Sequence, residues 1–165
     1  MLATETQEIS DLLKQAMLAS YGLKNLKDHF ADTRDTLCYA TYENQEAVKA
    51  LVASGGDLAL IVGGYNSSNT SHLVEICDLS LPTFYIKDSD EIISEKLIRH
   101  LDLPDYKIKE TENWLPVDKD RIEILISAGA SCPDAMVDQV ILKVCDLLEI
   151  TEQAAEQASI LFIIN

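Results

Sequence analysis

The pattern of apolar and polar positions along this chain switches between short continuous runs and helical spacing. The stretch 58–62 is an unbroken apolar run of strand length, which is typical of a strand covered on both faces of a sheet. Other short runs predict two further strands, and apolar residues at helical intervals predict helices. The predicted strands cover 83–86 and 121–127, and the helices cover about 4–20, 42–53, 70–79 and 133–148.

Strand and helix alternate over about residues 35–148. This alternation predicts an α/β fold, an αβα sandwich with a mainly parallel sheet. Gly22 and Gly55 are expected to end the first two helices, and Thr41 is expected to cap the start of the second.

Some segments have a weaker pattern, and their predictions are less specific. These are a short helical piece and a strand over about 26–38, helical character in the acidic stretch over about 88–99, a Pro- and charge-rich loop through 114–116, and a short tail helix from 151 that gives way to the apolar residues 160–164.

Length and charge limit the class of protein. The 165 residues are about one domain, and 28 acidic against 13 basic residues give a net charge of −15. This charge argues against a nucleic acid or an anionic membrane as partner. No apolar run approaches the ~20 residues of a membrane-spanning helix, and the chain start lacks the basic region of a leader. We therefore expect a cytoplasmic protein, or one of the plastid stroma from a plant-type source, without disulfides.

Three loops combine small polar residues with the start of a predicted helix: 35–41, 63–71 and 129–134. The carboxyl ends of strands in an open α/β sheet gather at one edge, where ligands bind, so we expect these loops to meet. Free N–H groups at a helix start, together with Ser, Thr and Asn side chains, bind a phosphate without Lys or Arg. The alternative for each loop is an ordinary capped helix after a turn. Two hydroxyl-bearing helix starts on one sheet edge favour an anion site.

The four cysteines differ in their sequence surroundings. Cys38 is predicted at a strand end, where a thiolate binds iron or zinc, acts as a nucleophile or has no chemical role, and the residues alone favour the last. Cys132 lies near a helix start, which lowers a thiol pKa, and is a candidate for reactivity. Cys77 and Cys145 fall among apolar helical neighbours and are expected in the core. Since the chain has no C-x-x-C pair, it does not supply a self-contained metal cluster.

Other polar residues have simpler interpretations. His72 and Glu75 are one helical turn apart and are interpreted as an exposed pair. The carboxylates at 88, 90, 91 and 95 are interpreted as a solvated acidic face. His29 and His100 have no companions in the sequence and receive no role.

At the same three loops the chain resembles a known family. The sequences are D-T-L-C-Y-A-T-Y-E-N-Q over 35–45, G-G-Y-N-S-S-N-T-S-H-L over 63–73 and G-A-S-C-P-D over 129–134. In this order and at these separations they resemble the C-terminal part of 4-hydroxy-3-methylbut-2-enyl diphosphate reductase, the LytB family. The insert that ends at 112–116 resembles the cyanobacterial and plastid-type branch.

The resemblance implies a role for several residues. Cys38 matches the last of three cysteines that hold a 4Fe-4S cluster in the family, and Thr41 matches a threonine beside it. Four residues match the family's diphosphate-binding positions: Ser67, Ser68, Asn69 and Ser131. Family members reductively remove the allylic hydroxyl of their substrate to give isopentenyl and dimethylallyl diphosphates, with electrons from a donor of the ferredoxin or flavodoxin type. The hydroxyl-rich helix starts would hold the diphosphate and so fix the alcohol over the iron.

The resemblance covers roughly the second half of such an enzyme. The family's other cluster cysteines, its substrate-contacting histidines and its catalytic glutamate belong to sequence before Met1. We therefore expect no stable cluster and little activity in this chain without a missing N-terminal half. The family fold implies that 1–33 is the helical trailing part of a second domain, 34–148 the last of three similar αβα domains, and 149–165 a tail.

Two further hypotheses stay open on the sequence. One is a metal-free αβα module that binds a phosphorylated metabolite, and it predicts diphosphate binding that survives Cys38→Ala. The other is a cysteine-dependent enzyme that uses Cys132, and it predicts a low thiol pKa.

Overall fold

The structure, a computed structural model, describes residues 3–22, 39–116, 118–119 and 121–148. The chain divides into two compact units, Met1–Tyr42 and Glu43–Asn165. The predicted domain boundary near residue 34 stays a prediction. The pieces predicted over 26–38 and from 151 onward lie outside the described residues.

The described residues form four α-helices close to the predicted positions. These are α1 (Ala3–Tyr21), α2 (Tyr39–Ala53), α3 (Ser68–Asp78) and α4 (Asp134–Leu147). Gly22 and Gly55 follow α1 and α2 with φ of 72° and 90°, a left-handed conformation that glycine adopts without strain. One detail of the prediction is wrong, because α2 begins at Tyr39 and Thr41 therefore lies inside the first turn instead of capping it.

The same part of the chain forms one six-stranded sheet. Its strands are β1 (Leu58–Val62), β2 (Thr83–Ile86), β3 (Ile92–Ser94), β4 (Leu97–Asp102), β5 (Lys107–Glu112) and β6 (Ile124–Ala128). β1 is the centre of a parallel core, with β2 on one side and β6 on the other, so that Leu60 pairs with both Phe84 and Ile126. The strands predicted from apolar runs are these three.

Strands β3, β4 and β5 form an antiparallel extension. One edge of β4 pairs with β5, and the other is shared by β3 and β2. The helical character predicted over 88–99 is therefore wrong beyond a 3₁₀ turn at Ser89–Glu91. Ile92 and Ile98 are 1% and 0% exposed as a cross-strand pair, which shows that sheet pairing overrides the local helical preference of the acidic residues around them.

The sheet has an apolar core on each face. Leu58, Leu60 and Val62 of β1 pack on one side with α4, which contributes Val137 and Val140. Ala59 and Ile61 point to the other side, where α2 and α3 cover them. This arrangement confirms the predicted α/β class and the αβα sandwich.

A single tryptophan joins the antiparallel extension to the parallel core. Trp114 is 5% exposed, and its indole N–H donates to the Ser94 carbonyl at 2.9 Å. Its ring lies edge-on to Phe84 of β2, with centroids 5.9 Å apart. The predicted loop through 114–116 is therefore an anchored segment that closes over one core.

His100 on β4 makes the stability of the fold depend on pH. Its Nε2 lies 2.9 Å from Thr111 Oγ1 and its ring is edge-on to Phe84, and burial lowers the pKa of His100 below the ordinary 6.5. The unfolded chain therefore binds a proton that the folded protein resists, and the free energy of unfolding should fall as the pH drops below about 6.5. Urea unfolding at about pH 7.5 and about pH 5.5 measures this loss, since the two values lie on either side of the ordinary pKa of histidine.

The variant His100→Gln should show a smaller loss of stability between the two pH values. His72→Gln is the matched control, because His72 pairs at 3.0 Å with a Glu75 side chain that is 61% exposed. Equal losses in His100→Gln and in the unmodified chain would contradict the assignment.

Candidate functional site

The carboxyl ends of β1 and β6 lie side by side at one edge of the sheet. The Gly129 N–H donates to the Val62 carbonyl at 3.0 Å, and the Gly63 N–H donates to Ile86 of β2 at the same distance. Because the three strands are parallel, the loops after β1 and β6 leave the sheet at the same edge. The structure thus confirms the predicted meeting of loops 63–71 and 129–134, whereas residues 35–38 of the third loop lie outside the described residues.

Thr70 brings the start of α3 against both loops. Its side chain is 1% exposed and sits beside two glycines. A Cβ atom built on Gly129 would lie 2.1 Å from Thr70 Oγ1, and one built on Gly63 would lie 2.7 Å from the same oxygen. The close approach of helix and strand ends therefore requires glycine at both positions.

Ser67 is the N-cap of α3. Its Oγ accepts hydrogen bonds from Thr70 N at 3.3 Å and from Thr70 Oγ1 at 2.9 Å, and its carbonyl accepts from Ser71 N at 3.0 Å. The N–H groups of Ser68 and Asn69 precede this first intrahelical bond and are free to point at a ligand. They also lie at the positive end of the helix dipole, which favours an anion.

The side chain of Asn69 lacks any partner within the described part of the chain. Both its Oδ1 and its Nδ2 are buried, and neither makes a hydrogen bond there. A buried amide ordinarily has hydrogen-bond partners, and the described residues supply none for this one. Ser68 and Ser131 are exposed at the same two loops, and Cys132 N closes the turn that carries Ser131 by donating to Gly129 O at 2.7 Å.

Three residues that sequence reasoning did not single out hold this edge together. The first is Thr70. The second is Tyr85, which is fully buried on β2 and whose hydroxyl donates to the Gly64 carbonyl at 2.5 Å. Asn44 of α2 is 4% exposed and donates through Nδ2 to the Ala128 carbonyl at 2.9 Å. A signal for Asn44 exists in the sequence, since it lies inside the first of the three motifs; Tyr85 has none, because it belongs to a plain apolar run.

The described cysteines do not form a metal centre. Cys38 lies outside the described residues, and Thr41 is half-buried in the first turn of α2. Cys77 is buried in the core as predicted, whereas Cys132 and Cys145 are half-buried, and all three are free thiols. Over residues 3–22, 39–116, 118–119 and 121–148, no group of three or more His, Cys, Asp or Glu side chains is placed to hold a metal ion. These described residues by themselves do not fit an iron–sulfur cluster.

The expectation that the helix start lowers the thiol pKa of Cys132 is wrong. Burial raises the pKa of Cys132, and the nearby Asp134 carboxylate raises it further. The helix start does not compensate for these two effects, because Cys132 precedes Pro133 and packs against the core under α4. A nucleophilic mechanism at Cys132 therefore has no support.

The remaining polar predictions have mixed outcomes. The pair of His72 and Glu75 is confirmed, with Nδ1 and Oε2 3.0 Å apart, and Glu75 is exposed while His72 is half-buried. The solvated acidic face is only partly correct, because Asp88 accepts a hydrogen bond from Asp90 N and the Glu91 side chain is 14% exposed near Arg99. Within the described residues, no helix is both long and apolar enough to cross a membrane.

Comparisons with known proteins give matches over most of the chain. A family model described as LytB protein matches residues 1–145. A 4-hydroxy-3-methylbut-2-enyl diphosphate reductase of Gloeobacter violaceus is 42% identical over 96% of this chain and 37% of the relative, and one of Microcystis aeruginosa is 41% identical over 87% and 35%. A solved structure titled as the reductase of the (E)-isomer, the terminal enzyme of the non-mevalonate pathway, is 29% identical with a TM-score of 0.48, over 67% of this chain and 32% of that one. The chain thus spans about a third of the length of the curated relatives it matches.

Proposed function

Because the chain belongs to the LytB protein family, we propose that it supplies the diphosphate-binding part of a 4-hydroxy-3-methylbut-2-enyl diphosphate reductase. The resemblance drawn from the three motifs is confirmed at the level of the family. The observation that carries the proposal is the buried amide of Asn69, which has no partner in the described residues and lies in the first turn of a helix that starts at the sheet edge.

The proposed site holds the diphosphate with dipoles and hydroxyls. Phosphate oxygens accept hydrogen bonds from the N–H groups of Ser68 and Asn69, from the Asn69 side chain and from the hydroxyls of Ser68 and Ser131. Ser67 also belongs to the proposed site, where its hydrogen bonds with Thr70 shape the helix start. The stretch 62–71 contains no Lys or Arg, and the chain as a whole has a charge of −15. The attraction of an anion therefore comes only from the N–H groups and hydroxyls at this edge of the sheet.

Two more residues are proposed on the strength of the resemblance. Cys38 is proposed as the ligand that this chain contributes to a 4Fe-4S cluster, and Thr41 as a substrate contact beside it. When bound, such a cluster would supply the electrons for the reduction and would receive them from a donor of the ferredoxin or flavodoxin type. We propose that this chain alone binds the diphosphate without reducing it, and that it acts in the cytoplasm together with the portion of the enzyme that its relatives possess in addition.

Anaerobic iron–sulfur reconstitution tests this proposal. The chain is reconstituted alone and mixed with the N-terminal part of the Gloeobacter violaceus relative, and iron content, the visible spectrum and reductase activity are measured. We expect a cluster and activity only in the mixture, and both should be lost in Cys38→Ala but kept in the matched variant Cys132→Ala. A stable cluster on the chain alone, or a cluster in the mixture that survives Cys38→Ala, would contradict the proposal.

A metal-free module that binds a phosphorylated metabolite is the second candidate. One observation favours it. The described groups that would donate hydrogen bonds to the anion all follow β1 and β6, within the unit Glu43–Asn165. Under this candidate, inorganic pyrophosphate binds the chain and its Cys38→Ala variant equally, and no cluster forms in the mixture. The reconstitution experiment therefore separates the two candidates.

A further inference from the structure

Two tyrosine hydroxyls hold consecutive carbonyls of the loop between β1 and α3. The Tyr85 hydroxyl donates to the Gly64 carbonyl at 2.5 Å, and the Tyr106 hydroxyl donates to the Tyr65 carbonyl at 2.6 Å. Tyr106 comes from the turn between β4 and β5, 41 residues further along the chain. The antiparallel extension therefore reaches the proposed anion site through one side chain.

Fixing these carbonyls also fixes the direction of two N–H groups. In a trans peptide the carbonyl of one residue and the N–H of the next point in opposite directions, and the described residues contain no cis peptide. The N–H group of Tyr65 therefore points away from the Tyr85 hydroxyl, and the N–H group of Asn66 points away from the Tyr106 hydroxyl. Neither donates to an acceptor within the described part of the chain, while the next N–H, of Ser67, closes a turn onto Gly64 at 2.9 Å. Successive backbone N–H groups in a turn are able to form an anion-binding concavity.

Tyr106 adopts a backbone conformation that its side chain disfavours. Its φ is 49°, in the left-handed region where glycine or asparagine is usual and a bulky residue is strained. Packing does not explain this choice, because Tyr106 is 59% exposed. The hydrogen bond to Tyr65 is the contact that a tyrosine makes here and that glycine and phenylalanine do not make.

We propose that Tyr106 is a positioning residue for the anion site: its hydroxyl orients the 65–66 peptide so that the Asn66 N–H faces a bound phosphate. This inference rests on the proposed function, since it assigns Tyr106 to the same diphosphate site. It makes the turn between β4 and β5 a determinant of diphosphate affinity, although Tyr106 does not touch the ligand.

Calorimetric titration with inorganic pyrophosphate tests the proposal on the full chain. Tyr106→Phe deletes only the hydroxyl and should weaken binding about threefold to tenfold, the range for one net hydrogen bond. Tyr106→Gly should weaken binding to the same extent while its thermal unfolding midpoint stays equal to or above that of the unmodified chain, because glycine relieves the left-handed backbone. The matched control is Tyr42→Phe, since Tyr42 is 45% exposed and its hydroxyl makes no hydrogen bond in the described residues; it should bind normally.

The outcomes distinguish failure of the proposed diphosphate site from failure of the role of Tyr106. If the unmodified chain shows no saturable pyrophosphate binding, the proposed function and the role of Tyr106 both fail. If it binds but Tyr106→Phe binds equally well, the role of Tyr106 alone is overturned. If both Tyr106 variants lose affinity and both also have a lower unfolding midpoint than the unmodified chain, Tyr106 has a structural role. This result also overturns the proposal.

Discussion

Replacement of Gly129 by alanine is expected to destabilise the protein by about 3 kcal/mol, at the upper end of overpacking effects. The added methyl group would lie 2.1 Å from Thr70 Oγ1, and Thr70 is held by its hydrogen bonds to Ser67. Helix α3 would have to move away from the ends of β1 and β6, so the anion site should open as well. Urea unfolding measures the stability, and pyrophosphate titration measures the site.

Two further variants make the test specific to the Thr70 contact. Gly64→Ala is the control, because its methyl group would meet only the end of the Asn66 side chain at 3.0 Å, and it should cost far less. In a Thr70→Ala background the oxygen that clashes is gone and the nearest remaining Thr70 atom is the Cβ at 3.3 Å, so Gly129→Ala should cost about 1–3 kcal/mol less there. Additive effects of Gly129→Ala and Thr70→Ala would show that the clash is not the cause.

Replacement of Asn69 by alanine is expected to change stability and binding in opposite directions. In the ligand-free chain the Asn69 Oδ1 and Nδ2 are buried without partners in the described residues, so their removal should leave the free energy of unfolding unchanged or raise it. Pyrophosphate affinity should fall about tenfold to a hundredfold, because a hydrogen bond to a charged group is lost. Calorimetric titration and urea unfolding of the same preparations give both quantities.

Asn66→Ala is the matched control for this experiment. Asn66 lies in the same loop and carries the same amide, but it is exposed. Its replacement keeps the backbone N–H of residue 66 and removes only an exposed side chain, so pyrophosphate binding should stay within about twofold of the unmodified chain. If Asn69→Ala lost stability and kept its affinity, the Asn69 amide would be a structural group and the proposed site would lose its main support.

The parallel core was predictable because its strands are buried on both faces. β1 and β2 appear in the sequence as continuous apolar runs, and their observed bounds are the predicted ones. The antiparallel extension was not predictable in this way. Its strand β5 is exposed along most of its length and has no apolar face that would give a sequence pattern. It is held by backbone pairing with β4 and by cross-strand ion pairs such as Lys109 with Asp102 at 2.9 Å.

The candidate site was predictable to the extent that it is local. Glycines, hydroxyls and a helix start within one short segment indicated the loop after β1, and the structure confirms that it meets the loop after β6. Tyr85 and Tyr106, whose hydroxyls donate to this loop, were missed because these hydrogen bonds join residues 21 and 41 positions apart. Such contacts depend on the register of the whole sheet, which no local pattern contains.

The buried indole of Trp114 gives the protein an intrinsic optical reporter. It is the single tryptophan of the chain, it is shielded from water, and it lies where the extension of β3 to β5 meets Phe84 of the parallel core. We expect its fluorescence to lie at short wavelength while the two parts are joined and to shift to longer wavelength when they separate. Circular dichroism follows the helices, so a comparison of the two signals during unfolding shows whether the extension detaches before the core or together with it.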